Sequence, residues 1–112
     1  MKVERTRKVI EKRFGGKGHL ISDSILAGDT LSGGCRMYSE ITLEVGCSLG
    51  VHEHHKESET YFITQGVGMY NDIGNEYEVG AGDVLFCDDG ECHALANIGD
   101  DDLRFVALIL EK

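Results

Sequence analysis

Apolar and polar residues alternate along much of this chain, in short runs. The segment from Arg36 to Val45 is the clearest, with Met37, Ile41 and Leu43 on one face and mainly charged or hydroxyl side chains on the other. A period of two residues is typical of a β-strand with one buried face. Comparable segments predict further strands at 19–26, 60–64, 68–73, 76–79, 84–87, 94–97 and 103–110.

Glycine separates these segments. The chain has fifteen glycines and no proline, so glycine occupies the positions where the backbone must turn. Residues 65–67 are predicted to join the strands 60–64 and 68–73 as a β-hairpin. Residues 4–13 are the only candidate for a helix, and no window shows a long helical repeat. Short strands with frequent turns predict an all-β sandwich or barrel.

The composition limits the class of protein. With 112 residues, 41% of them hydrophobic and 28% charged, the chain is expected to form one ordinary globular domain. No run approaches the roughly 18 apolar residues of a membrane span, and the N-terminus lacks the apolar core of a signal peptide. We therefore expect a cytoplasmic location without membrane association. The four cysteines form no Cys-x-x-Cys pair and are expected to be reduced.

The net charge of −9 is unevenly distributed. Residues 1–18 carry seven Lys/Arg and two Glu, a net of +5, whereas the other 94 residues carry four Lys/Arg and eighteen Asp/Glu, a net of −14. So acidic a body argues against nucleic-acid binding, which depends on basic contacts to phosphates. We divide the chain into a basic N-terminal arm, 1–17, and a domain, 18–112. The arm is expected to lie against an acidic surface of its own or a neighbouring subunit, which would favour a homodimer.

The clearest chemical signal is the pattern Gly46-x5-His52-Glu53-His54-x4-Glu59-x6-Gly66. Histidines at i and i+2 share one face of a strand. Glu59 can reach the same point if the chain bends once and returns as the next strand. Imidazole and carboxylate donors around one point suit Fe, Mn, Ni, Zn or Cu. His93 is a fourth candidate ligand, within Gly82-x5-Asp88-x-Gly90-x2-His93-x3-Asn97.

These two stretches resemble the two sequence motifs of the cupin superfamily. The first matches at all five fixed positions and the second at four of five, because Asp88 stands where the usual pattern has proline. Fifteen residues separate Gly66 from Gly82, which is similar to the spacing in small single-domain members. The resemblance implies an all-β, cupin-type jelly-roll β-barrel in a single domain. It also implies one divalent metal ion held inside the barrel by His52, His54, Glu59 and His93.

Alternation from Glu59 points Tyr61, Ile63 and Gln65 into the barrel. Tyr61 is the candidate catalytic residue, as a proton-transferring or substrate-contacting group, and a packed aromatic with a satisfied hydroxyl is the alternative. Asn97 is expected to support a loop. His55 should point away from the ligands. Further candidates for the cavity wall are Tyr38, Glu40 and Met69.

Cations are sparse outside the arm, so a phosphorylated substrate is not expected unless the arm folds over the mouth of the barrel. A small molecule with a carboxylate, enediol or catechol group could bind the metal directly. Two functions remain open. One is a metalloenzyme that oxygenates, decarboxylates or isomerises a small organic substrate. The other is a non-catalytic module that binds or senses a metal and a small-molecule ligand.

Overall fold

Ten β-strands in two sheets make up most of the protein, in a computed structural model that describes residues 1–112. Every strand pairing is antiparallel. Short 3₁₀ segments lie at Arg13–Gly15 and Gly28–Thr30. The strands are β1 (Arg7–Glu11), β2 (His19–Leu26), β3 (Cys35–Leu43), β4 (Ser48–Glu53), β5 (Glu57–Gln65), β6 (Val67–Asp72), β7 (Asn75–Gly80), β8 (Val84–Cys87), β9 (Cys92–Asn97) and β10 (Leu103–Glu111).

The two sheets form a jelly-roll β-sandwich. The larger sheet has the strand order β1-β2-β3-β10-β5-β8, and the smaller has the order β4-β9-β6-β7. The chain crosses between the sheets several times, which is the double-sheet arrangement of a jelly roll. The predicted all-β jelly roll is confirmed. The sheets are not closed into a barrel, because no strand pairs with both of them.

The core lies between the two sheets and follows the alternation of the strands. On β10 the odd-numbered residues from Leu103 to Ile109 are buried, and Arg104 between them is exposed. On β3 Ile41 and Leu43 are buried, as their alternation predicts. Full burial of a large apolar side chain is worth about 1.5–3 kcal/mol, so these inner faces supply most of the stabilisation.

Two predictions about elements are wrong. The segments 60–64 and 68–73 do lie in strands, but β5 belongs to the larger sheet and β6 to the smaller, so they form no hairpin. Gly66 turns the chain from one sheet to the other with φ +92°, and a Cβ there would lie 2.5 Å from the carbonyl oxygen of Asp102. The helix candidate at 4–13 instead contains β1, because pairing with β2 supplies its backbone hydrogen bonds.

The basic arm lies against the acidic body of its own chain. Arg7 pairs with Asp23 at 2.8 Å and Arg5 with Glu40 at 3.3 Å. Exposed ion pairs of this kind contribute little to stability, because water and salt screen them. The strand pairing of β1 with β2 therefore matters more for fixing the arm than its charge does. All four cysteines are free, as expected.

Candidate metal centre

The four predicted ligand side chains come from both sheets and meet between them. His52 on β4 lies directly opposite His93 on β9 in the smaller sheet. Glu59 on β5 approaches from the larger sheet. His54 lies one residue past β4, and the chain then bends at Lys56, whose φ of 59° is left-handed. This is the bend that the motif requires if Glu59 is to return to the histidines.

Their donor atoms converge on one point. The Nε2 atoms of His54 and His93 lie 3.0 Å from Glu59 Oε1 and 3.1 Å from each other. His52 Nε2 lies 3.6 Å from the same oxygen, and all four donor atoms lie within 4.8 Å of one another. Such separations suit donors that share an ion at about 2.0–2.2 Å. The cluster could hold one metal ion.

The outer nitrogen of each histidine also has a partner. The Nδ1 atoms lie 2.9 Å from the carbonyl oxygen of Gly50 for His52, 2.5 Å from Glu57 Oε2 for His54 and 2.9 Å from Tyr70 Oη for His93. A carbonyl and a carboxylate can only accept, so His52 and His54 carry their proton on Nδ1. When neutral, both rings present a lone pair at Nε2 towards the centre. This tautomer is the one that metal ligation requires, so the donor set fits a metal ion.

The charge state of the cluster is also suited to a cation. Burial alone would raise the pKa of Glu59, but the three histidine rings that face its carboxylate outweigh burial and hold this pKa far below its ordinary value. Burial lowers the pKa of His93, which favours the neutral ring. The hydrogen bond to Glu59 is the main cause of a raised pKa at His54. At neutral pH the site therefore presents a carboxylate and at least one neutral imidazole.

Two charged side chains hold the Nδ1 side of the His54 ring, which faces away from the other ligands. Arg36 donates two hydrogen bonds to Glu57, at 2.7 and 2.8 Å, and Glu57 accepts the Nδ1 proton of His54. Hydrogen bonding to Arg36 lowers the pKa of Glu57, so this group stays ionised. Partners of this kind fix the ring orientation of a ligating histidine. The motif does not include Glu57, but alternation from Glu59 places it on the same face of β5.

A small cavity of about 110 Å³ opens beside the cluster. His52, His54, Glu59 and Tyr61 contribute to its wall, and ten of its sixteen lining residues are hydrophobic. Pockets for drug-sized ligands measure about 300–1,000 Å³. A ligand of only a few heavy atoms would therefore fit here.

Tyr61 lies on the wall of this cavity, where the sequence places it. Its ring stacks on His93 with centroids 4.9 Å apart and an interplanar angle of 20°. Burial, with a further contribution from Glu59, raises the pKa of Tyr61 well above its ordinary value of 10. The phenol therefore keeps its proton near neutral pH and can donate that proton, but no phenolate is present to act as a base.

Three other expected wall residues do not line the cavity. Glu40 lies on the outer face of the larger sheet, where it pairs with Arg5. Tyr38 does not contribute to the wall, whereas its neighbour Met37 does. Met69 lies on the outer face of the smaller sheet. These predictions are wrong because each residue is one position out of phase with the buried residues of its strand.

Outside the wall, His55 and Asn97 behave as predicted. His55 is exposed, with its Nε2 3.4 Å from Glu53. Asn97 donates hydrogen bonds of 2.8 Å to the carbonyl oxygens of Leu43 and Asp101 and accepts one from the Gly99 N–H. Asn97 thus supports the loop before β10.

The arm covers part of the cavity mouth. Ile10, Arg13 and Phe14 all contribute to the wall. The Phe14 ring stacks on His52 with centroids 4.1 Å apart and an interplanar angle of 13°. No spacing in the sequence links these residues to the motif, because they reach the site by strand pairing and a turn rather than by periodicity. The arm thus supplies a cation to a cavity that would otherwise have few.

Comparison with known proteins places this arrangement in a family. The family described as Cupin domain matches residues 39–109. The chain belongs to this family.

Two of its relatives come from Thermotoga maritima and Methanocaldococcus jannaschii. The first is named "Oxalate-binding protein" and is 36% identical over 107 residues, covering 96% of this chain and 88% of that protein. The second, an uncharacterized protein, is 26% identical over 106 residues, covering 95% and 85%.

Solved structures are also similar. A crystal structure of a "predicted oxalate decarboxylase" from Thermotoga maritima has a TM-score of 0.92 at 36% identity, covering 97% of this chain and 95% of that one. KdgF from Halomonas has a TM-score of 0.67 at 14% identity, covering 100% and 84%, and shares the fold alone. None of the helical segments in the structure is long and apolar enough to span a membrane.

Proposed function

We propose that this chain is a metal-dependent binding protein for small carboxylates of the oxalate type. His52, His54, Glu59 and His93 would hold one divalent transition-metal ion. The observation that carries the proposal is the convergence of these four donors, each histidine supported at its outer nitrogen, beside a cavity of about 110 Å³. When bound, such an ion supplies a Lewis-acid centre with positions open to a ligand oxygen.

The wall of the cavity supports a compact anion as the ligand. Its mostly hydrophobic lining limits water, and Arg13 contributes a positive charge, whereas the charge of Arg36 is paired with Glu57. Oxalate is small, rigid and doubly charged, and its carboxylates match the donors of a guanidinium. The relative named "Oxalate-binding protein", at 36% identity over nearly the whole chain, is consistent with this ligand class.

Decarboxylation of the same ligand is a second candidate function. It is favoured by the Tyr61 phenol, a proton donor on the cavity wall, and by the similar structure described as a predicted oxalate decarboxylase. Binding is the simpler function for this site. Apart from the candidate ligands, the wall carries no further histidine or carboxyl side chain, so proton transfer would rely chiefly on the Tyr61 phenol.

The first test is the metal content of untagged protein purified without added metal. Elemental mass spectrometry of wild type should give about one equivalent of a transition metal, which His54→Ala should lose. The exposed His55→Ala is the matched control and should keep it. A wild-type protein that contains no metal and takes none up on reconstitution would overturn the proposal.

Calorimetry with oxalate then tests the ligand. Binding is expected for the metal-loaded wild type and not for the metal-free protein, because the ligand would contact the ion. Carbon dioxide release from the same loaded sample distinguishes turnover from binding. Oxalate affinity that is equal with and without metal would contradict a metal-dependent site.

We further propose a homodimer that buries the outer face of the larger sheet. Phe62, Val84 and Phe86 are about half exposed there, and Phe62 lies opposite Val84 in the register of β5 and β8. Contiguous apolar patches on a protein surface commonly mark an interface. A second copy of the chain is the partner we propose, since most oligomers are symmetric homo-oligomers and C2 dimers are the commonest.

A further inference from the structure

Arg13 is the cation on the cavity wall whose charge is unpaired. Arg36, the other arginine there, donates both of its hydrogen bonds to Glu57. The remaining arginines of the chain form ion pairs elsewhere, whereas Arg13 forms no ion pair and no side-chain hydrogen bond. Its guanidinium carbon lies 4.4 Å from the centre of the Phe14 ring. This cation–π contact orients the guanidinium but leaves its N–H donors free.

The turn that carries Arg13 is held in place on both sides. The backbone N–H groups of Lys12 and Lys17 donate to Gly18 O at 2.8 Å and to Ser48 Oγ at 2.9 Å. Two residues of the turn, Lys12 and Phe14, have left-handed backbones with φ of 47° and 54°. Non-glycine residues in this region cost free energy and concentrate at functional sites.

The turn also packs closely on β4, the strand of a candidate ligand. A Cβ at Gly50 would lie 2.0 Å from the carbonyl oxygen of Phe14, so the two backbones touch. Phe14 stacks on His52, and Gly50 O accepts from the outer nitrogen of the same ring. The backbone of Arg13 is therefore fixed relative to His52, and its exposed side chain extends from this fixed point to the cavity wall.

We infer that Arg13 is a specificity-determining residue that selects a dianion over a monoanion of the same shape. This inference rests on the proposed function and deepens it. A carboxylate in the cavity can accept two parallel hydrogen bonds from the free guanidinium, and its charge pairs with that of Arg13. A neutral amide in the same position leaves the guanidinium without a counter-charge. The arm would thus select ligands by their charge, and the metal ion held by the cluster would bind the ligand's oxygens.

Oxalate and oxamate, its monoamide, make the matched pair of probes. Protein loaded with one equivalent of Mn²⁺ is titrated with each probe by calorimetry, for wild type, Arg13→Gln and Arg13→Lys. Arg5→Gln is the control, since Arg5 also belongs to the arm but lies outside the cavity. Arg13→Gln should weaken oxalate about tenfold or more, the range for hydrogen bonds to charged groups. Oxamate affinity should change much less, so the ratio of the two affinities falls.

Three further results are expected together. Arg13→Lys should recover part of the preference for oxalate, because it restores the charge without the fork of donors. Arg5→Gln should match wild type. Metal content should stay at one equivalent in all variants, which separates recognition of the ligand from support of His52.

Each contrary outcome has a distinct meaning. If Arg13→Gln weakens both probes equally, or loses metal, its role is support of the site and the inference is wrong. Unchanged affinity for both probes also overturns it, while the proposed function stands. If loaded wild type binds no oxalate, the proposed function fails and this inference fails with it.

Discussion

At the scale of single residues, the chemistry of the site depends on groups behind the four donors as much as on the donors. Glu57 is the clearest case, because it joins Arg36 to the outer nitrogen of His54. Replacing it by Gln removes the charge and weakens the orientation of this ring. Loss of such a partner typically lowers metal affinity by about 10–100-fold.

Glu57→Gln should therefore bind metal more weakly by about this factor. Competition with a metallochromic chelator measures it directly. Glu53→Gln is the matched control, since Glu53 is exposed and contacts only His55 among the ion pairs. Equal affinities for wild type and Glu57→Gln would show that Arg36 and Glu57 form a surface ion pair without influence on the site.

Glu59 gives the metal-free protein a defined pH dependence. Its pKa in the folded state is lowered from an ordinary 4.5, so its ionised form stabilises the fold above that pH. This contribution is lost as the pH falls through the lower folded-state pKa. Urea unfolding of metal-free protein should show a free energy of unfolding that declines below about pH 4.5. Glu59→Gln should have a lower free energy of unfolding at pH 7, and this free energy should fall less as the pH is lowered. An equal fall in both proteins would exclude Glu59 as the cause.

Tyr61 offers a separation of binding from turnover. Tyr61→Phe removes the only phenol on the cavity wall without changing a donor of the metal cluster. Metal content should be unchanged, since Tyr61 supplies no ligand. If loaded wild type releases carbon dioxide from oxalate, the variant should lose about 10²–10⁴-fold in rate, the usual contribution of general acid–base catalysis. An unchanged rate would remove Tyr61 from the mechanism.

The sequence reveals the donors but not their support. The meeting of His52, His54 and Glu59 is predictable from their spacing and one bend, and His93 joins them through the resemblance of its motif to the second cupin motif. Partners such as Tyr70 depend on strand pairing between β6 and β9, which alternation does not give. Arg13 and Phe14 depend on the path of the arm, for which the sequence carries no periodic signal.

At the scale of elements, the contact between the arm turn (residues 12–16) and β4 is the feature on which the cavity depends. Gly16 and Gly50 permit it, because a Cβ on either would meet backbone atoms at 2.1 or 2.0 Å. The arm can lie over His52 only while both positions lack a side chain. Alternation predicts the strands themselves. It does not predict the close contact at Gly16 and Gly50, nor which strands pair with β5 and β6.

Gly50→Ala should therefore displace the arm turn from β4. Limited digestion with trypsin, followed by mass spectrometry, should show faster cleavage after Arg13 and Lys17 than in wild type. The variant should also bind oxalate more weakly if the proposed function is correct, because Arg13 moves with the turn. Gly80→Ala is the control, since a Cβ there meets its nearest neighbour at an ordinary 3.7 Å. Identical digestion of both variants would show that the turn does not depend on this contact.

At the scale of the whole molecule, the basic arm and the exposed apolar patch occupy opposite edges of the larger sheet. The strongly acidic body carries an arm with the opposite charge, and the arm is already paired with its own body through Arg5 and Arg7. The arm's charge is therefore partly satisfied within one chain. The exposed apolar patch formed by Phe62, Val84 and Phe86 is the surface left for a second copy.

The proposed homodimer should thus depend on this face. Light scattering should give the mass of a dimer for wild type and of a monomer for Phe62→Glu/Phe86→Glu, because two carboxylates per subunit would have to be buried on association. Ile98→Glu is the control, since Ile98 is 46% exposed on a loop outside this face. A chain that starts at Gly15 tests the arm. It should remain dimeric if the apolar face suffices and become monomeric if the arm binds a neighbouring subunit. A monomeric wild type would contradict both arrangements, and the cavity with its Arg13 would then be complete within one chain.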